Sequence, residues 1–162
     1  MKAKSATSKK SAGILLYRFS VGLPEVLLVH PGGPFWAKKD IGAWSIPKGE
    51  FEAEEDPLSA AQRELEEETG IKAEGNFIEL TPVKQKNGKL VYAWALEKEV
   101  DAGSIKSNSF EMEWPPKSGK KKSFPEIDKA AWFGVTEAKE KILAGQVPFI
   151  NELEMKLGHT VE

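Results

Sequence analysis

A chain of 162 residues, 40% of them hydrophobic, suits one compact domain with a core of its own. Its 23 basic and 25 acidic side chains leave a net charge of -2, which gives no global field to hold a nucleic-acid duplex or an anionic membrane, so phosphate binding must be local. There are no cysteines; disulfides, thiolate metal sites and a cysteine nucleophile are excluded, and any metal must sit on oxygen or imidazole.

Residues 1–10 are rich in Lys, Ser and Ala and read as a disordered basic tail, with no uncharged segment and cleavage site behind them. The longest apolar runs, 12–17 and 26–29, fall far short of the roughly 20 residues that span a bilayer. The expectation is a cytoplasmic domain over 11–158, monomeric or homodimeric, with no membrane partner.

Residues 12–19 and 25–30 are β-rich and flank a turn at 20–24, a strand pair. Residues 31–42 carry Gly32, Gly33 and Pro34 and read as a loop despite Phe35 and Trp36, after which 43–46 returns to extended chain. Asp56 before Pro57 opens a helix and Gly70 ends it. On that helix Leu58, Ala61 and Leu65 share one face, while Glu64, Glu67 and Glu68 share another. Strands at 77–83 and 90–96 are joined by a turn containing Asn87-Gly88. A strand at 129–133 and helices at 136–143 and 147–157 follow, the helices separated by Gly145. Residues 101–126, with Pro115, Pro116 and a lysine cluster, read as one long irregular loop.

Glu64 and Glu68 lie one turn apart and Glu67 three residues from Glu64, so three carboxylates converge within reach of one ion. Without an ion they repel; a hard cation reverses the sign. All-oxygen ligation favours Mg²⁺ or Mn²⁺, which bridge to substrate phosphates, over zinc. A glutamate run is commonly a solvated helix face. Here Gly49, Glu55, Arg63 and Gly70 stand at fixed spacings around it and have no part in such a face.

The segment 49–71 fills every fixed position of the Nudix signature and so resembles a Nudix box. The resemblance implies an α/β fold, an α/β/α sandwich around a mixed sheet, and hydrolysis of a nucleoside diphosphate-linked substrate. It also implies a metal held by Glu64, Glu67, Glu68 and the Gly49 carbonyl, with Arg63 and Glu55 as a buttressing pair. The lead-in Trp44-Ser45-Ile46-Pro47-Lys48-Gly49 resembles that of diadenosine tetraphosphate hydrolases and RNA 5′-pyrophosphohydrolases, which puts a dinucleoside polyphosphate first. An RNA 5′ end or a nucleoside triphosphate is the alternative. The tyrosine that the first of these branches carries downstream of the box is missing, Asn87 and Gly88 occupying that region. A non-catalytic nucleotide-binding module would typically lose box carboxylates, and all three are present.

Lys48, beside the metal-facing glycine, is a candidate phosphate contact, against a plain turn lysine. For the general base two candidates stand open: Glu64 in the box and Glu126 before the last strand, where relatives carry a glutamate. Trp36, Trp44 and Trp114 are candidate stacking surfaces for a purine, with packing as the competing role. Lys117, Lys120, Lys121 and Lys122 offer phosphate contacts, or are simply solvated. The loop 101–126 is expected to close over substrate and deliver Glu126. His30 suits packing more than phosphate contact, and His159 lies near the end of the chain.

Overall fold

The computed structural model describes residues 10–158; residues 1–9 of the expected basic tail 1–10 and His159 lie outside the described residues, while Lys10, expected in that tail, is instead the first residue of a strand paired with two others. β1 (Lys10–Ser20) is the middle of the molecule. It pairs antiparallel with β2 (Leu23–Pro31) and β3 (Lys48–Phe51), and parallel with β5 (Leu90–Glu97). β4 (Phe77–Lys84) continues the sheet beyond β5, and β8 (Ile127–Gly134) beyond β2. The sheet is therefore mixed, in the order β4-β5-β1-β2-β8 with β3 beside β1.

Strand side chains alternate between faces, and β1 buries both. Ala12, Ile14 and Leu16 meet Ala60, Ala61 and Leu65 of α1 (Pro57–Thr69). Leu15 and Tyr17 point the other way, into a cluster with Ala138 of α2 (Val135–Lys141) and Phe149, Ile150 and Leu153 of α3 (Val147–Leu157). This is the expected sandwich, with a helix layer on each face.

Two expectations need correcting. The helix expected at 136–143 stops at Lys141, because Ile142 bridges in parallel to Trp44 and the Leu143 N–H donates to the Trp44 carbonyl at 2.8 Å. The segment 101–126 is not irregular throughout. A short 3₁₀ turn (Ala102–Ser104) leads into a hairpin of β6 (Ser109–Glu113) and β7 (Lys121–Pro125). Alternation was present in Phe110, Met112 and Trp114, but the prolines and lysines between the strands masked it.

Candidate active site

The helix that carries the carboxylates is well terminated. Asp56 accepts a hydrogen bond from the Ser59 N–H at 3.0 Å, Pro57 is its first residue, and Gly70 closes it with φ 81°. The Arg63 guanidinium grips Glu55 with two bonds of 2.8 and 2.9 Å, fastening the approach to the helix onto the helix itself. Its third nitrogen reaches Glu64 at 2.8 Å and Glu67 at 3.2 Å. Paired so, Arg63 is held more firmly protonated than a free guanidinium, first through Glu55, while Arg63 holds Glu55 below the usual carboxylate range.

β3 lies across from the helix, with Gly49 opposite Ala12 of β1. A Cβ on Gly49 would stand 1.9 Å from Glu64 Oε1, so only glycine lets this carboxylate lie against the strand. Burial raises the proton affinity of Glu64, and Arg63 opposes that rise. Glu68 is affected more. Burial, then the carboxylates of Glu64 and Glu126, push it up to about 7, against the pull of Lys48 and its backbone N–H. Burial and Lys89 in turn lower Lys48, which Glu68 and Glu50 partly counter.

Lys48, Glu68 and Glu126 line one open cavity of about 230 Å³, together with Trp36, Ser45 and Ile46. Glu126 comes from the opposite wall, where backbone bonds hold it. Its N–H donates to the Asn108 carbonyl at 2.7 Å and its own carbonyl accepts from Gly32 N–H at 2.9 Å. The next residue, Ile127, donates to Ser107 Oγ at 2.8 Å. The Asn108 side chain then reaches the Glu67 carbonyl at 3.1 Å, tying the foot of the hairpin to α1. A Cβ on Gly32 would lie 1.9 Å from the Pro125 carbonyl oxygen, the same steric demand that Gly49 meets on the other wall. With these bonds in place, the position of Glu126 does not depend on loop closure.

Other expected site residues fall elsewhere. Trp44 is 4% exposed, with its ring edge-on to His30 and Phe133 and its N–H on Asp40 Oδ1 at 2.8 Å, so it has no free face for a purine. The stacking expectation for Trp44 is therefore corrected to packing. His30 is fully buried between Asp128 (2.8 Å) and the Lys39 carbonyl (2.6 Å), which joins β2 to β8 and to the 31–42 loop and keeps it from phosphate. Trp114 is half-buried on the hairpin, edge-on to the exposed Phe35 at 5.5 Å. Trp36 is the tryptophan that reaches the cavity. Ser107, Asn108 and Gly32 escaped sequence reasoning; only the Gly32-Gly33 pair carried a signal, that of a close backbone approach.

Among the described residues no three carboxylate or imidazole groups stand close enough to hold one ion as placed, Glu64 and Glu67 being engaged by Arg63. The donor chemistry nevertheless fits a hard cation: every candidate is oxygen, and Glu68 is raised first by burial and then by the carboxylates of Glu64 and Glu126, which Lys48 offsets only in part. An ion would compete with Arg63 for Glu64 and Glu67.

With this geometry in view, the comparisons are unambiguous about family. The NUDIX domain model matches residues 7–153, and the chain belongs to that family. An "RNA pyrophosphohydrolase" of Erythrobacter litoralis is 50% identical over 65 residues, covering 37% of this chain and 38% of that protein. "Nudix hydrolase 25" of Arabidopsis thaliana is 63% identical over 30 residues, 18% of this chain and 17% of its own. An "RNA pyrophosphohydrolase" of Xylella fastidiosa is 39% identical over 56 residues, 34% and 28%. The match thus spans well under half the length of these curated relatives. The C. elegans Ap4A hydrolase binary complex superposes with a TM-score of 0.63 at 20% identity, over 91% of this chain and 98% of that one. The NUDIX domain of Shewanella oneidensis NrtR, complexed with ADP ribose, gives 0.63 at 15%, over 97% and 90%. At such identities both speak for the fold.

Proposed function

We propose that the chain is a divalent-metal-dependent pyrophosphohydrolase acting on the polyphosphate of a nucleotide. The observation that carries this reading is the convergence of Lys48, Glu68 and Glu126 on one cavity at the carboxylate face of the box helix. Glu64, Glu67, Glu68 and the Gly49 carbonyl would hold Mg²⁺ or Mn²⁺. When bound, the ion supplies charge to balance the phosphates and lowers the proton affinity of water. Lys48 sets an ammonium against the bridging phosphate, whose negative charge would offset the burial that lowers the lysine's proton affinity. Glu126, exposed and fixed by its backbone, accepts the proton of the attacking water at its carboxylate. Arg63 and Glu55 position Glu64 without touching substrate.

Two substrate classes share this chemistry. The dinucleoside polyphosphate is favoured by the Trp44 to Gly49 lead-in. The 5′-triphosphorylated RNA end is favoured by the names of the curated relatives matched across the box. A screen for released phosphate, pyrophosphate or nucleotide with Mg²⁺, with and without chelator, tests the class. Competition between diadenosine tetraphosphate, a nucleoside triphosphate and a triphosphorylated RNA oligomer then ranks the substrates. Turnover that persists in excess chelator overturns the metal-dependent reading.

A further inference from the structure

The β6–β7 hairpin is chemically two-sided. In an antiparallel pair, residues directly opposite share a face. Phe110 faces Phe124 and Met112 faces Lys122, and Trp114 follows on that side opposite Lys120, whose carbonyl accepts from its N–H at 2.9 Å. The other face holds Glu111, Glu113, Lys121 and Ser123. Both acids thus stand on one side, and on the other two lysines stand among aromatic and thioether side chains. Glu113 is also engaged locally, accepting from Gly119 N–H at 2.7 Å. Lys120 and Lys122 are exposed, and no carboxylate among the described residues pairs with either.

The aromatic face turns toward the 31–42 loop. Gly33 leaves only the room that the Phe110 ring needs, a Cβ there standing 3.0 Å from it, and Trp114 meets Phe35 edge-on, with Phe35 60% exposed. Phe35 is the neighbour of Trp36, which lines the cavity, and β7 runs directly into Glu126, which lines it too. Two lines therefore lead out of the cavity, one from Trp36 through Phe35 to Trp114 and one along β7 from Glu126 past Lys122 to Lys120, which stands opposite Trp114. At about 3.3 Å per strand residue, the six steps from Glu126 to Lys120 cover roughly 20 Å. At roughly 3.4 Å per nucleotide of stacked strand, and about twice that for an extended one, that is room for about three to six nucleotides.

We propose that this face guides single-stranded RNA, binding the nucleotides that follow the 5′ polyphosphate while the phosphates lie at Lys48 and Glu68. The guide deepens the RNA-end reading above and rests on it. Rings and cations in alternation recognise a strand without reading its bases, since any base stacks and every linkage carries a charge. A dinucleoside polyphosphate has only one further nucleoside and would leave Lys120 and Lys122 without a phosphate.

Two measurements on the full chain with Mg²⁺ test the guide. The first is kcat/KM for 5′-triphosphorylated RNA of one, two, four and eight nucleotides. The expected result is a rise of at least about tenfold from one to four nucleotides and a plateau beyond. The double substitution Lys120→Gln with Lys122→Gln, or Trp114→Ala alone, flattens that rise through KM and leaves the single-nucleotide rate unchanged. Length-independent rates, or variants that slow all lengths alike, overturn the guide. The second is the binding of a fluorescent eight-nucleotide 5′-hydroxyl RNA, which has nothing to cleave. Wild-type binding should weaken with salt, and the double lysine variant should reduce the slope of log K against log salt by about 1.4, two phosphate contacts on a single strand. If no RNA end is hydrolysed at any length while this binding and its lysine dependence hold, the RNA-end function fails and the guide surface stands. If the 5′-hydroxyl RNA does not bind, the guide is wrong whatever the enzyme cleaves.

Discussion

The two walls of the cavity are built by opposite means around the same steric device. On the box wall, side chains do the fastening: Arg63 joins Glu55, Glu64 and Glu67, all within 13 residues of one another. On the Glu126 wall the fastening is mainly backbone, and its partners Gly32, Asn108 and Glu126 lie up to 94 residues apart. Each wall nevertheless depends on a glycine whose absent Cβ makes a close approach possible, Gly49 toward Glu64 and Gly32 toward the Pro125 carbonyl. Acidic chemistry can thus be brought to one cavity from two sides, by a local ion-pair lattice and by long-range main-chain docking.

The largest effect should come from the box wall. Glu68→Gln removes the most strongly perturbed carboxylate without changing its shape, and kcat should fall roughly 1,000-fold while the melting temperature is kept or raised. Unchanged turnover would remove Glu68 from the ion site. Glu126→Gln asks whether the second wall is catalytic; the expected loss is roughly 100-fold in kcat at saturating Mg²⁺, with metal affinity little changed. A near wild-type rate there, beside a large loss in Glu64→Gln, would transfer the base to the box.

The two glycines sharpen the comparison. Gly49→Ala should displace Glu64, weakening metal binding and lowering kcat roughly 10- to 100-fold. Gly32→Ala should move Glu126, lowering kcat to a similar or smaller degree with metal binding preserved. Titration of Mn²⁺ against each variant reads the difference, and equal losses of metal affinity would show the walls to be mechanically one. Arg63→Lys keeps the charge but loses the two-pronged hold on Glu55, for an expected drop of about tenfold.

The smallest effect is on stability. The folded pKa of Glu68 lies above its unfolded value, so the folded protein binds the proton more tightly, and stability falls as pH rises from about 4.5 to about 7. In chelator, this costs on the order of 1 kcal/mol, a few degrees in Tm, after allowance for partial exposure. The decline should vanish in Glu68→Gln and shrink when Mg²⁺ is present.

The same contrast explains what the sequence made legible. Asp56, Pro57 and Gly70 set the helix ends by local rules, and carboxylates at 64, 67 and 68 share a face by helical period alone. Those features needed no knowledge of distant chain. Glu126 could be named as a candidate, yet its anchoring through Asn108 and Gly32 follows from the pairing of β8 with β2, which no local pattern expresses. Trp44 misled for a related reason: its neighbours Ser45 to Gly49 carry the lead-in pattern, but its ring is claimed by His30 and Phe133 from other strands. The hairpin was hidden because the Pro115 to Lys120 stretch reads as irregular loop until β6 and β7 are paired.

The placement of β1 between β2 and β5 has a consequence for synthesis. β1 and β2 can form a hairpin as soon as both leave the ribosome, but β1 keeps its other edge open until β5 arrives, and β2 waits for β8 at residues 127–134. Vectorial folding therefore completes the box wall's surroundings first and the Glu126 wall last. A nascent chain that has passed β5 but not β8 would hold its acidic helix in place beside half a cavity, with an apolar strand edge still uncovered. The pocket is complete only once β8 has been made and paired with β2.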